Sequence, residues 1–245
     1  MAARTSIESG EKLLESTRER ILAAALHLLN TSGRDALTTR AVAKAAGVQP
    51  PVIYRHFRDK AGMLEALAEH GFARYLARKQ QRRTQRDPVE ALRRGWDEHV
   101  QFGLEHPMLY LLMYAEPRDG APSGAAALAF SMLRKSMALV AAAGRLKVAE
   151  EHAVSVYHAA AVGVVLFLLN SPKDARDLTV ARMMREASLA AITTSAGDRL
   201  PESPGLNAAV TLRAVLNQGE LLSEAEWALL REWLSRIIKQ ETPGA

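Results

Sequence analysis

Between Leu37 and Leu64 the chain reads LTTRAVAKAAGVQPPVIYRHFRDKAGML, and residues that restrict the backbone leave this stretch few conformations. Thr38 and Thr39 precede a run of Ala, Val and Lys, and a threonine hydroxyl accepts from the free N–H groups of a new helix. Val42, Ala45 and Ala46 share one face at helical spacing and are small enough for a second helix to approach closely. Gly47 ends that helix, because glycine takes the left-handed conformation without a Cβ clash, and Val48 is placed to fill the angle between two helices. Proline disfavours helical geometry in the residue before it, so Gln49 and Pro50 are expected to be extended, with Pro51 at the first helical position. Ile53 and Phe57, at i and i+4, then face inward. Asp59 is placed to cap a third helix whose first turn carries Lys60.

This pattern leaves Gln49, Pro50, Val52, Tyr54, Arg55 and His56 at or near the outer surface. A Pro-Pro helix start followed by exposed Tyr, Arg and His has no packing purpose, but it suits a nucleic acid. Arg pairs with a guanine edge, Gln with adenine, and Val or Pro touches a thymine methyl. Tyr54, Thr39 and Lys60 suit phosphate oxygens, which fix register without reading sequence. The free N–H groups around Lys60 favour an anion as well. Helix, tight turn and short exposed helix are how a chain presents side chains to the major groove.

On Leu37-Thr38-Thr39, Gly47-Val48, Tyr54-x-His56-Phe57 and Lys60, the sequence resembles the TetR family of bacterial transcriptional repressors. The resemblance runs from Ser16 to about Leu76, a three-helix reading head and the start of a fourth helix. It implies DNA contacts at Thr39, Arg40, Gln49, Pro50, Pro51, Val52, Tyr54, His56 and Lys60; the chemistry of its side chain adds Arg55. Beyond the head the resemblance is one of layout, although His106-Pro107-Met108-Leu109-Tyr110-x-Leu112-Met113 resembles a phrase that recurs in the family's ligand domains.

Charge is distributed to match. Residues 1–86 hold 16 Lys/Arg against 8 Asp/Glu, net +8, whereas residues 87–245 hold 16 against 19, net −3. The basic share sits in the segment carrying the motif, as expected if only that segment meets a polyanion. No cysteine is present, which excludes disulfides, thiolate zinc sites and thiol redox sensing and fits a cytoplasmic protein. The first residues, MAARTSIESGEKLLES, are polar and charged, so no secretory signal is expected. Ala153–Leu169 is the most apolar run. It falls short of the ~20 residues a membrane span needs, and Ser155, Tyr157 and His158 interrupt it, so a buried helix or subunit interface is expected there.

The fold class expected is all-α, with no alternating strand pattern and no internal repeat. A first helix is expected over about Thr17–Ser32, with Ser16 and Glu19 as a capping box and Ile21, Leu22, Ala25, Leu28 and Leu29 inside. After the motif, a long helix is expected over about Lys60–Arg83, ending in the basic run 78–83. Asp87-Pro88 signals a restart. Further helices are expected near Pro88–Glu105, Met108–Ala115, Ser123–Ala143, Ala149–Asn170, Leu178–Ala196, Leu206–Asn217 and Glu224–Lys239, with Pro/Gly punctuation at 117–124 and 197–205. The domains expected are a flexible arm at 1–15, the head and its linking helix at 16–86 with the motif at 38–57, and a larger domain at 87–245.

The resemblance implies that this larger domain binds a small-molecule effector and dimerises. Trp96, Phe102, Tyr110, Met113, Tyr114 and Phe130 are the candidate pocket residues, suited to an apolar or aromatic ligand. Ala159–Leu169 is hydrophobic almost all round and must be buried on several sides. The helices near 149–170 and 178–196 would form the family's four-helix dimer interface, setting two heads on one face about a DNA turn apart. A ligand would then shift the Lys60–Arg83 helix and release a palindromic operator. The alternative is an activator or architectural DNA binder without an effector. No catalytic arrangement is expected: His99 and His106 are split by a helix end, no Ser lies in a nucleophile elbow, and His152 and His158 read as a surface and a core residue. No metal and no cofactor are implied.

Overall fold

The computed structural model describes residues 2–79, 87–115, 124–194, 204–216 and 222–241. Among them the chain forms eleven α-helices and no strand. The helices are α1 (Ala2–Ser32), α2 (Thr39–Ala45), α3 (Pro50–Phe57), α4 (Lys60–Lys79), α5 (Pro88–Glu105), α6 (Pro107–Tyr114), α7 (Gly124–Ala142), α8 (Glu150–Leu169), α9 (Leu178–Ile192), α10 (Pro204–Val215) and α11 (Glu224–Glu241). The all-α class is as expected. Two boundaries differ for physical reasons.

The first helix begins at Ala2, not Thr17, so residues 2–15 continue the helix and Ser16 does not cap it. No proline lies between Ala2 and Ser32, and Ala, Glu, Lys and Leu recur through the segment, so nothing halts propagation. At the other end, α9 stops at Ile192 instead of Ala196. Thr193 turns extended (φ −122°, ψ 154°) and pairs with Leu146 in an isolated β-bridge. Lys147 N–H donates to Ile192 O (2.9 Å), Thr194 N–H to Arg145 O (2.9 Å), and the Arg145 guanidinium to Thr194 O (2.7 Å). The Asn207 amide closes the clip by donating to Leu146 O (2.6 Å). The expected helical residues Ser195 and Ala196, the linker 80–86, most of the basic run at 78–83, and the punctuated stretches at 116–123 and 195–203 lie outside the described residues.

The chain packs as two compact units. The first comprises 1–82 and 105–128, the second 83–104 and 129–245. Helix α6, expected in the larger domain, therefore packs with the head. In the first unit, Ile21, Leu22, Ala25 and Leu29 of α1 are buried with Leu37, Val42, Ile53, Phe57, Met63 and Leu67. Each large side chain buried in this way contributes roughly 1.5–3 kcal/mol. Helix α6 lies on α4 at Gly71, where a Cβ would come within 2.6 Å of the Leu109 side chain. A larger residue at Gly71 would push the Leu109 side chain aside.

In the second unit α8 packs along α9. Tyr157 of α8 donates to Leu92 O of α5 (2.6 Å), its ring edge-on to Trp96 at 5.3 Å. An ionic lattice joins α5 to α9: Arg185 binds Asp97 (2.5 Å) and Glu186 (2.8 Å), while Arg93 binds Glu186 (3.1 Å) and Glu90. By length and composition α7 and α8 are apolar enough to cross a membrane, with mean hydropathy 1.4 and 1.9. One face of α8, including Ala153, Val154, Tyr157, Ala161, Val164, Val165 and Leu168, is nonetheless buried in its own chain.

Candidate nucleic-acid interface

The interface is built on α2, α3 and the start of α4. The Ala41 N–H donates to Thr38 Oγ1 (3.1 Å), the cap expected from the sequence. The inner face of α2 is Val42, Ala43 and Ala46, while Ala45 is exposed. Both α1 and α3 pack on this short helix, so the buried arc covers i, i+1 and i+4 and is displaced from the expected set. Gly47 takes φ +65°, and Val48 N–H returns to Ala43 O (2.9 Å), which closes the turn.

Helix α3 starts one residue earlier than expected. Gln49 is the extended N-cap (φ −80°, ψ 146°), and Pro50 and Pro51 fill the first two helical positions. Both positions tolerate a missing N–H, since those donors have no intrahelical partner. The leading edge of the helix therefore presents pyrrolidine rings instead of N–H groups. Such an edge suits thymine methyls better than phosphates.

Ile53 and Phe57 anchor α3 in the core, as expected. Gln49, Pro51, Tyr54 and Arg55 are exposed, and Pro50 and Val52 are half-buried. Arg40 is exposed beside them and Thr39 is half-buried. Thr39 Oγ1 and Tyr54 Oη share a hydrogen bond at 3.3 Å, which ties the start of α2 to the outer face of α3. His56 behaves differently from its neighbours. It is half-buried, its ring contacts Phe57, and its Nε2 is buried without a hydrogen-bond partner. Burial, then the charges of Arg55 and Arg18, hold its pKa below the usual histidine value. Arg18 of α1 also lies over the Phe57 ring, 5.5 Å from its centroid.

The corner between α3 and α4 depends on two residues that the sequence did not single out. Arg58 has φ +64° and ψ −53°, and Asp59 N–H donates across it to Phe57 O (2.7 Å): a γ-turn, a strained conformation for a residue with a Cβ. Gly62 passes so close to α3 that a Cβ would lie 2.3 Å from Phe57 O. Asp59 Oδ1 accepts from Gly62 N–H (2.7 Å), the expected cap, and leaves Lys60 exposed on the first turn. A positive φ at an arginine carries no sequence signal. The glycine was visible but had no evident partner.

Thr39, Arg40, Gln49, Pro50, Pro51, Tyr54, Arg55 and Lys60 thus occur on three consecutive elements whose mutual geometry is fixed by a turn, a γ-turn and a side-chain bond. The sequence profile described as "Bacterial regulatory proteins, tetR family" matches residues 21–67, the span of this head. Residues 21–67 are a TetR-family head. The tetracycline repressor protein class A of transposon 1721 (Escherichia coli) is 55% identical over 49 residues, 20% of this chain and 23% of that protein. This chain thus spans less than a third of that curated relative. Likeness in fold extends further: the structure of RolR with its ligand resorcinol aligns with TM-score 0.58 at 18% identity, covering 86% of this chain and 100% of that one. NalD, the secondary repressor of the MexAB-OprM multidrug efflux pump in Pseudomonas aeruginosa, aligns at TM-score 0.53 and 21% identity, covering 75% and 99%.

Of the six pocket candidates, the chain places Tyr110, Met113 and Tyr114 in the first unit and Trp96, Phe102 and Phe130 in the second. Trp96, Phe102, Tyr110 and Met113 are buried core. Tyr114 packs on Tyr110 at 4.7 Å between ring centroids, and burial pushes its phenol up to about 12. Phe130 lines a small open cavity of about 100 Å³ with Arg134, Glu150, Glu151, Val154 and Ser155. His158 stands edge-on to Phe130 at 5.2 Å, its pKa lowered by burial.

Proposed function

We propose that this chain is a cytoplasmic, sequence-specific DNA-binding transcriptional regulator: a homodimeric repressor released from a palindromic operator by a small apolar or aromatic ligand. The observation that carries the DNA-binding part is the exposed set Gln49, Pro51, Tyr54 and Arg55 on a helix anchored by Ile53 and Phe57. Tyr54, held by Thr39, and Lys60 position the head on phosphates, while Gln49, Pro51 and Arg55 read base edges. The high identity to a tetracycline repressor over a short N-terminal span supports repression as the mode of action.

Dimerisation is supported by the outer face of α8 and α9. Val156, Ala159, Gly163 and Phe167 are exposed at three- and four-residue spacing on α8, with Met183 and Ala187 exposed on α9. A Cβ at Gly163 would meet nothing within 4 Å, so the stripe has a shallow centre between two large apolar groups. An isologous partner filling that centre would bring two heads to one operator. Phe130, with the cavity it lines, is the candidate contact for an aromatic effector, and the likeness in fold to a resorcinol-binding protein supports that class. Such a ligand must prefer the state that does not bind DNA, and operator must weaken ligand binding by the same factor.

Selection of bound sequences from a random duplex pool tests this function. Inverted half-sites with centres about one helical turn apart, or slightly more, are expected. Failure to enrich any sequence, or enrichment of a single asymmetric half-site, contradicts the dimeric reader.

A further inference from the structure

Helix α11 carries two apolar stripes, and its main packing partner among the described residues is α10. Trp227, Leu234 and Ile238 form the buried stripe. Leu229, Trp233 and Ile237 recur every four residues, which places them on a second face about 100° round the helix from the first. That face is open to solvent: the three residues are 43, 52 and 41% exposed. A half-exposed tryptophan flanked by two branched apolar residues is the composition of an interface centre, not of a solvated helix face. Glu232, Arg236 and Lys239 border the stripe on one side, and half-buried Leu230 lies between it and the buried stripe.

The charges indicate what covers it. Glu224, Glu226, Arg231 and Glu232 give the first half of α11 (224–232) a net −2, and Arg236, Lys239 and Glu241 give the second half (233–241) a net +1. Glu226 is committed to the N-terminal cap through Ser223 and Arg236 is paired with Glu232, but both ends keep their sign. Such a gradient opposes parallel pairing of two like helices and favours antiparallel pairing. Trp233 is the midpoint of the stripe, with Leu229 four residues before it and Ile237 four after. A two-fold axis at Trp233 therefore sets Leu229 of one copy opposite Ile237 of the second copy, apolar on apolar, while acidic ends meet basic ends.

We propose that the Leu229/Trp233/Ile237 face of α11 is an interaction surface for a second copy of this chain, pairing antiparallel about Trp233 and separate from the α8–α9 face.

The absence of native cysteine allows a direct test. Leu229→Cys and Ile237→Cys variants of the full chain are oxidised separately and as a mixture. The mixture is expected to give a covalent dimer in at least about five-fold higher yield than either variant alone. The yield should persist when Phe167→Glu breaks the α8–α9 face and disappear when Trp233→Glu is added. Helix content by circular dichroism should be unchanged in Trp233→Glu, because that side chain is half in solvent. By sedimentation, the wild type should form a larger assembly than Trp233→Glu. Equal yields from single variants and mixture, or no covalent dimer from the mixture, would overturn the proposal. So would equal masses for wild type and Trp233→Glu, or co-sedimentation of unpaired chains with anionic vesicles through the Trp233 face.

Discussion

At the scale of single residues, the 3.3 Å bond between Thr39 and Tyr54 separates two roles that the sequence assigned only jointly. Each was read as a phosphate ligand; together they pre-position one phenol. Tyr54→Phe keeps the ring and removes the hydroxyl, and an exposed bond of this kind contributes little to folding. We expect thermal stability within about 0.5 kcal/mol of wild type but operator affinity lowered roughly ten-fold, measured by fluorescence anisotropy. His56 and His70 give the head a pH dependence of definite sign. Both imidazoles have buried Nε2 atoms without partners, and both have lowered pKa values. Burial comes first in each case, followed by Arg55 and Arg18 around His56. Around His70, Arg74 and Arg18 lower the value and Glu19 partly opposes them. The unfolded chain, with histidines near 6.5, takes up protons first as pH falls. Stability is therefore fully present above about pH 6.5 and is lost as pH drops through the depressed folded values. Denaturant titrations from pH 8 to pH 5 should show a falling midpoint that is flattened in a His56→Gln/His70→Gln variant.

At the scale of elements, local chemistry decided where the sequence was readable. Thr38, Gly47, Asp59 and Asp87 act within a few residues of themselves, and the caps and turns they predict form as expected. Ile53 and Phe57 were legible because α3 has one buried side. Ala43 was not, because the arc buried on α2 depends on which two helices lie against it. The end of α9 was hidden for the same reason: residues 145–147 capture Thr193 and Thr194 from nearly fifty positions away. The α3–α4 corner yields two opposite predictions. Gly62→Ala forces a Cβ against Phe57 O and should destabilise the head by about 1–3 kcal/mol in a thermal melt. Arg58→Gly removes the Cβ from a γ-turn and should stabilise the fold by about 1 kcal/mol. The two melts should shift in opposite directions.

At the scale of the whole molecule, the charge asymmetry was visible in the sequence, but the membership of the two compact units was not. Helix α6 packs with the head, where Gly71 leaves room for Leu109 against α4, a close approach that hydrophobic periodicity alone does not reveal. The aromatic candidates, adjacent in sequence, are consequently divided between the units. If α8 and α9 carry the dimer, Phe167→Glu with Met183→Glu, made in a Trp233→Glu background so that α11 does not pair, should yield monomers by sedimentation and weaken operator binding by at least about 100-fold, since one head then binds alone. The central claim is that the surface of α2, α3 and the α4 start grips DNA through phosphates while α3 reads bases. The most direct measurement is binding of purified protein to the DNA upstream of its own gene over a salt series, for wild type, Tyr54→Ala and Lys60→Ala. The account predicts tight binding that falls steeply with salt. In each variant the log–log slope should be shallower by about one to two, because a dimer loses two contacts. Binding that is no tighter than to a random duplex for this and every selected sequence, or slopes unchanged in both variants, would contradict it.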